Sequence, residues 1–226
     1  MLGSIRSTIV PAPVRTTARR AEPTTVLLVR HGTTPTTGKV LPGRAAGLHL
    51  APAGHEQAER VAQRIAALEK PPVAVYASPL ERTRETALPI ARALGLRVRN
   101  EPGLLEADIG EWAGTSLKRA MRKPEWAVVQ RWPGGFRFPG GESFAEMAAR
   151  ATDAVLRLAA RHRGETIVAV SHADPIRAVV ATAAGIPIDL MQRITISTCS
   201  VSAVTYHPAG PQVRCVNASA DWLVPA

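Results

Sequence analysis

The sequence predicts an α/β fold with a mostly parallel central sheet, and three observations carry that expectation. Short continuous apolar runs at 25–30 (TVLLVR), 73–77 (VAVYA) and 166–171 (TIVAVS) suit strands covered on both faces. Segments with apolar residues at helical spacing lie between and after them. The alternation of strand and helix signals is the pattern of a sheet wrapped by helices, and no internal repeat is present.

Taken in order, the first strand at 25–30 leads into 32–52, which is rich in Gly, Pro and Thr and without period. A loop of that length is usually functional. From 53 to 68, Ala58, Val61, Ala62, Ile65 and Leu68 mark an amphipathic helix closed by Pro71-Pro72. After the second strand, Ser78-Pro79-Leu80-Glu81 has the form of a capping box with proline at the first helical position. The helix it predicts carries Leu80, Ala87, Ile90, Ala91 and Leu94 on one face and ends at Gly95, with Pro89 expected to kink it.

A short strand is expected at 96–99, followed by an irregular excursion over 110–141 that holds three of the four tryptophans. Packing of the excursion against the core is favoured there over a substrate lid. Ser143-Phe144-Ala145-Glu146 is a second capping box, opening a helix with Phe144, Met147, Ala148, Ala151, Val155, Leu158 and Ala159 on its apolar face. Asp174-Pro175 is expected to cap the helix after the 166–171 strand, running to about Gly185. Residues 200–207 and 212–217 alternate like two paired strands.

Composition bounds the function. The chain has 226 residues, 46% of them hydrophobic, enough for one globular domain with a sizeable core, expected over 24–226. No apolar stretch reaches the roughly 18 residues of a membrane span. Cys199 and Cys215 form no CxxC pair, which makes a reducing cytoplasm the default compartment. The net charge is +10, but Arg6, Arg15, Arg19 and Arg20 precede the first acidic residue, leaving +6 spread without a cationic run. Dedicated nucleic-acid binding is therefore not expected. Residues 1–23 are expected to be a disordered basic tail, a reading preferred to a transit peptide.

Ligands of open α/β sheets sit at the carboxyl ends of the strands. The predicted strands end in Arg30-His31-Gly32, in Ser78 with Arg82 one turn later, and in Ser171-His172. Two imidazoles and two guanidiniums at one edge make a phosphoryl-transfer set. Arginine forks match phosphate oxygens, a neutral imidazole can attack phosphorus, and nearby cations lower the histidine pKa so that its nitrogen stays free. Gly32 is expected to let backbone N–H groups approach the anion, and the start of the helix after His172 to add partial positive charge. His49, His55, His162 and His207 are assigned to surface or structural roles. No metal-ligand spacing is present, so neither metal nor other cofactor is expected.

The ordered set LVRHG (28–32), SPLERTRETA (78–87), LLEADIGEWAG (104–114), GGES (140–143) and VSHADPIRAV (170–179) resembles the histidine phosphatase, or phosphoglycerate mutase-like, superfamily over about residues 25–218. Within it, the chain is similar to an actinobacterial-type branch described as phosphomutases or phosphatases. The resemblance implies a three-layer α/β/α sandwich and a metal-independent phosphomonoester hydrolase acting on a small phosphorylated molecule. His31 would become the phosphohistidine, Arg30, Arg82 and His172 would bind the phosphoryl group, and Glu106 would be the general acid and base. Its carboxyl pKa is expected to be raised beside Leu104, Leu105 and Trp112. Thr34 and Thr37 are expected beside the substrate, Thr37 standing where the family often has Asn, and Ala173 replaces a common glycine. Arg44 is a candidate for a distal anion, with a solvated arginine weighed equally. A phosphomutase is the close alternative, favoured less because 107–117 lacks the tyrosine-containing pattern of glycolytic mutases. A non-catalytic phospho-ligand binding module and a basic RNA-associated protein are the rivals of other classes, and a homodimer is compatible with all of these.

Overall fold

The computed structural model describes residues 22–219. The basic tail expected at 1–23 lies, apart from Glu22 and Pro23, outside the described residues. Among the described residues six strands form one sheet: β1 (Thr24–Arg30), β2 (Ala74–Ala77), β3 (Val98–Asn100), β4 (Thr166–Ser171), β5 (Val201–His207) and β6 (Gly210–Ala218). Their order is β3-β2-β4-β1-β5-β6. The first four are parallel, while β5 pairs antiparallel with both β1 and β6, so the nucleophile candidate leaves a strand hydrogen-bonded on both sides.

Alternating strand residues face two helical layers, which is why the sequence runs are apolar throughout. Val26, Leu28, Ile167 and Ala169 face α5 (Phe144–Arg161) and α6 (Ala173–Ala183), packing on Ala151, Val155, Leu158, Ile176 and Val179. Leu27, Val29, Val168 and Val170 face α1 (Pro52–Ala66) and α2 (Glu81–Ala93), packing on Ala58, Val61, Ala87 and Ile90. The excursion holds two short helices, α3 (Leu117–Ala120) and α4 (Trp126–Arg131), and its own core of Trp112, Phe136 and Phe138 against Phe144 and Met147. These aromatics stack edge to face and tilted, as packing of the excursion required, while Trp132 is exposed. Among the described residues no helix is long and apolar enough to cross a membrane.

Three local expectations are corrected. The second capping box forms in full, with Ser143 Oγ accepting from the Glu146 amide and the Glu146 carboxylate from the Ser143 amide. The first does not: α2 starts at Glu81 with no side-chain cap, and the Ser78 hydroxyl is turned instead toward His172. Likewise the N-cap position of α6 is His172, two residues ahead of the predicted Asp174, which lies in the first turn and pairs with Arg177 at 2.8 Å. The third strand is displaced to 98–100, because Gly95 takes a left-handed φ of 66° and Leu96 still bonds back to Ala91.

Candidate active site

β1 delivers Arg30 and His31, β2 delivers Ser78, and β4 delivers His172 to the same sheet edge. The His31 and His172 rings stand edge to face with centroids 5.3 Å apart. His31 is buried, and its Nδ1 lies 2.8 Å from the Gly32 carbonyl oxygen. A carbonyl can only accept, so Nδ1 carries the proton and Nε2 keeps its lone pair. Burial, then the charges of Arg30 and Arg82, push the His31 pKa down to about 3, which keeps the ring neutral at pH 7.

His172 is fully buried, and its Nε2 is 2.9 Å from Ser78 Oγ. Burial and the neighbouring Arg82 hold its pKa well below the usual histidine range. We assign the Ser78 hydroxyl as donor to Nε2, which places the ring proton on Nδ1. Among the described residues, the buried nitrogens without a partner include His172 Nδ1, Arg30 Nε, and Arg82 Nε and Nη1. Buried donors are almost always satisfied, so such a concentration around one histidine is the signature of an anion cradle. Each arginine is held by one terminal nitrogen: Arg30 Nη1 donates to the Ile196 carbonyl at 2.7 Å, and Arg82 Nη2 to the Gly43 carbonyl at 2.8 Å.

Glu106 lies at the other side of His172, its Oε2 3.9 Å from His172 Nδ1 and its side chain 17% exposed. Its Oε1 accepts from the Ala107 amide at 3.0 Å. Burial first, and the charge of Asp174 second, raise its pKa to about 7 against the opposing pull of Arg82. The expected cause was apolar neighbours alone; Asp174, fixed by Arg177, adds repulsion that its position in the sequence did not reveal.

Other candidates sit differently from expectation. The Gly32 amide donates to Thr86 Oγ1 at 3.0 Å and so is spent within the protein. A Cβ at Gly32 would lie 2.6 Å from the Gly54 carbonyl oxygen, so the glycine serves the close approach of β1's end to the start of α1. Thr34 and Thr37 bind each other, amide to hydroxyl at 2.9 Å and hydroxyl to hydroxyl at 3.0 Å, closing a turn. Arg44 does not point free to a distal anion: its Nε donates to the Glu106 carbonyl at 2.9 Å, and its Nη2 pairs with Glu142 at 2.9 Å. Ser78, Thr86, Asp174, Glu142 and Arg150 were not assigned site roles, although Ser78 stood at a predicted strand end and all but Arg150 lie in the quoted motifs; their partners at the site are dozens of residues away in the chain.

With this geometry in view, the family model of the histidine phosphatase superfamily (branch 1) matches residues 26–219. The chain belongs to that superfamily. It is 32% identical to a bifunctional protein of Mycobacterium tuberculosis over 205 residues, 89% of this chain and 56% of the relative. The chain thus spans little more than half the length of the first curated relatives it matches. It is 34% identical to phosphoserine phosphatase 1 of Hydrogenobacter thermophilus over 169 residues, 72% of this chain and 78% of that protein. The fold is shared with a mycobacterial glucosyl-3-phosphoglycerate phosphatase, at a TM-score of 0.78 and 24% identity, covering 88% of this chain and all of that one.

Proposed function

We propose that the chain is a phosphomonoester hydrolase that works through a phosphohistidine on His31 without a metal ion. The observation that carries the reading is the set of unspent buried donors, Arg30 Nε, Arg82 Nε and Nη1, and His172 Nδ1, around a histidine whose Nε2 lone pair is free. Two fixed guanidiniums and an imidazole N–H would neutralise the equatorial phosphoryl oxygens as charge builds in the transition state.

In the first step His31 Nε2 attacks phosphorus, the P–O bond to the leaving group breaks, and Glu106 gives its proton to the departing oxygen. A carboxyl with a pKa of about 7 is half protonated at neutral pH, as this role needs. In the second step the Glu106 carboxylate takes a proton from water, the water oxygen bonds to phosphorus, and the N–P bond breaks to release phosphate and regenerate His31. The relatives named for phosphoserine and glucosyl-3-phosphoglycerate make small carboxylate-bearing phosphomonoesters the first compounds to screen.

The test is release of phosphate from p-nitrophenyl phosphate, with chelator present, by the wild type and by His31→Ala. Loss of the nucleophile should lower kcat by about a thousandfold or more, and an acid-labile phosphoenzyme should form only in the wild type. Equal rates in the two proteins would end the reading.

A further inference from the structure

The GGES stretch has no part in the steps above, yet Glu142 lies at the centre of a dense network. Its side chain is 14% exposed, and its two oxygens accept three hydrogen bonds and face a further cation in an ion pair. Arg150 grips it twice, Nε to Oε1 and Nη2 to Oε2, both at 2.9 Å. The Asp108 amide donates to Oε2 at 3.0 Å, and Arg44 Nη2 lies 2.9 Å from Oε1.

Both arginines then reach one carbonyl. Arg44 Nε donates to the Glu106 carbonyl at 2.9 Å and Arg150 Nη2 approaches it at 3.3 Å. Arg150 Nη1 also donates to the Gly103 and Leu105 carbonyls, at 2.8 and 3.0 Å. Residues 105–109 form no helix or strand, so these bonds take the place of a secondary-structure ladder. The Glu106 carboxyl is bonded to the next amide in the chain, Ala107, so its direction follows that of its own backbone.

We propose that Glu142 is a positioning residue for the acid–base group: through Arg44 and Arg150 it fixes the Glu106 backbone, and hence where the Glu106 proton meets the leaving oxygen. The inference rests on the reading of Glu106 as general acid. An acceptor-only, negatively charged carboxylate is needed at 142, because its three hydrogen-bond partners all donate and the Arg44 guanidinium pairs with its charge. The same network reaches the phosphate cradle, since Gly43, the neighbour of Arg44, supplies the carbonyl that holds Arg82.

The experiment compares phenyl phosphate with p-nitrophenyl phosphate, which share a shape and differ in how much the leaving oxygen needs a proton. In Glu142→Gln, kcat for phenyl phosphate should fall about tenfold to a hundredfold, as for an angstrom-scale misplacement, while p-nitrophenyl phosphate loses no more than about threefold and KM stays put for both. Glu106→Gln, the reference, should show the same skew more strongly. Equal losses on the two esters in Glu142→Gln, or no loss, with the skew intact in Glu106→Gln, would overturn the positioning role and leave the proposed chemistry standing. Absence of skew in Glu106→Gln would instead remove the acid assignment, and the inference with it. Should Glu142→Gln fail to fold, Arg44→Gln carries the same test: the skew supports the network, and uniform loss refutes it.

Discussion

Glu106 offers a measurement that needs no substrate. Its carboxyl pKa is about 7 in the folded protein against an ordinary 4.5, because burial and Asp174 disfavour the charged form. A group whose folded pKa is raised contributes stability that is fully present below pH 4.5 and is lost as pH rises through 7. The rise from 4.5 to about 7, at about 1.36 kcal/mol per pH unit, gives a penalty of about 3 kcal/mol above pH 8. Glu106→Gln removes the titration while keeping the shape. The variant should therefore match the wild type near pH 5 and exceed it by up to about 3 kcal/mol at pH 9, a Tm difference of roughly 6–12 °C for a chain of this size. Urea unfolding of both proteins at the two pH values reads this directly. The depressed pKa of His31 acts in the acid range, between 6.5 and about 3, and largely cancels when the two proteins are compared at one pH. A wild-type-to-variant difference that is the same at pH 5 and pH 9 would refute the placement of Glu106 in a desolvating, anionic environment.

Two further outcomes follow from the site. Ser78→Ala frees His172 to take the other tautomer, so kcat/KM for p-nitrophenyl phosphate should fall about tenfold or more while stability drops by only about 1 kcal/mol; a rate within twofold of wild type would sink the tautomer assignment. Gly32→Ala drives a Cβ to 2.6 Å from the Gly54 carbonyl oxygen, backbone against backbone, and should cost about 1–3 kcal/mol. Thermal unfolding checks it, and an unchanged Tm would show that the start of α1 yields freely.

Much of this was legible in the chain because the signals are local. The 166–171 run became β4 with the same bounds, and Ser143 with Glu146 made both bonds of its box, since Arg137 takes only the other oxygen of Glu146 and leaves Oε2 to the Ser143 amide. Ser78 shows how the same local rule fails: its hydroxyl finds His172, a residue 94 positions away, and the helix begins without it. The strand-end arithmetic placed Arg30, His31, Arg82 and His172 at one edge, because parallel strands bring their carboxyl ends together. Arg44, Glu142 and Arg150 carry no period and no adjacent partner, so their convergence on the Glu106 carbonyl exists only in three dimensions.

The sheet order has a consequence for how activity fails. His31 leaves a strand held by β4 on one side and β5 on the other, with Val26 and Val29 wholly inaccessible, so it belongs to the part of the molecule that opens last. Glu106 hangs on a segment outside the sheet that has no strand ladder and leans on the Arg44 and Arg150 side chains. In rising denaturant the proposed proton donor should loosen before the proposed nucleophile, so that cleavage of unactivated esters fails while activated ones are still cleaved.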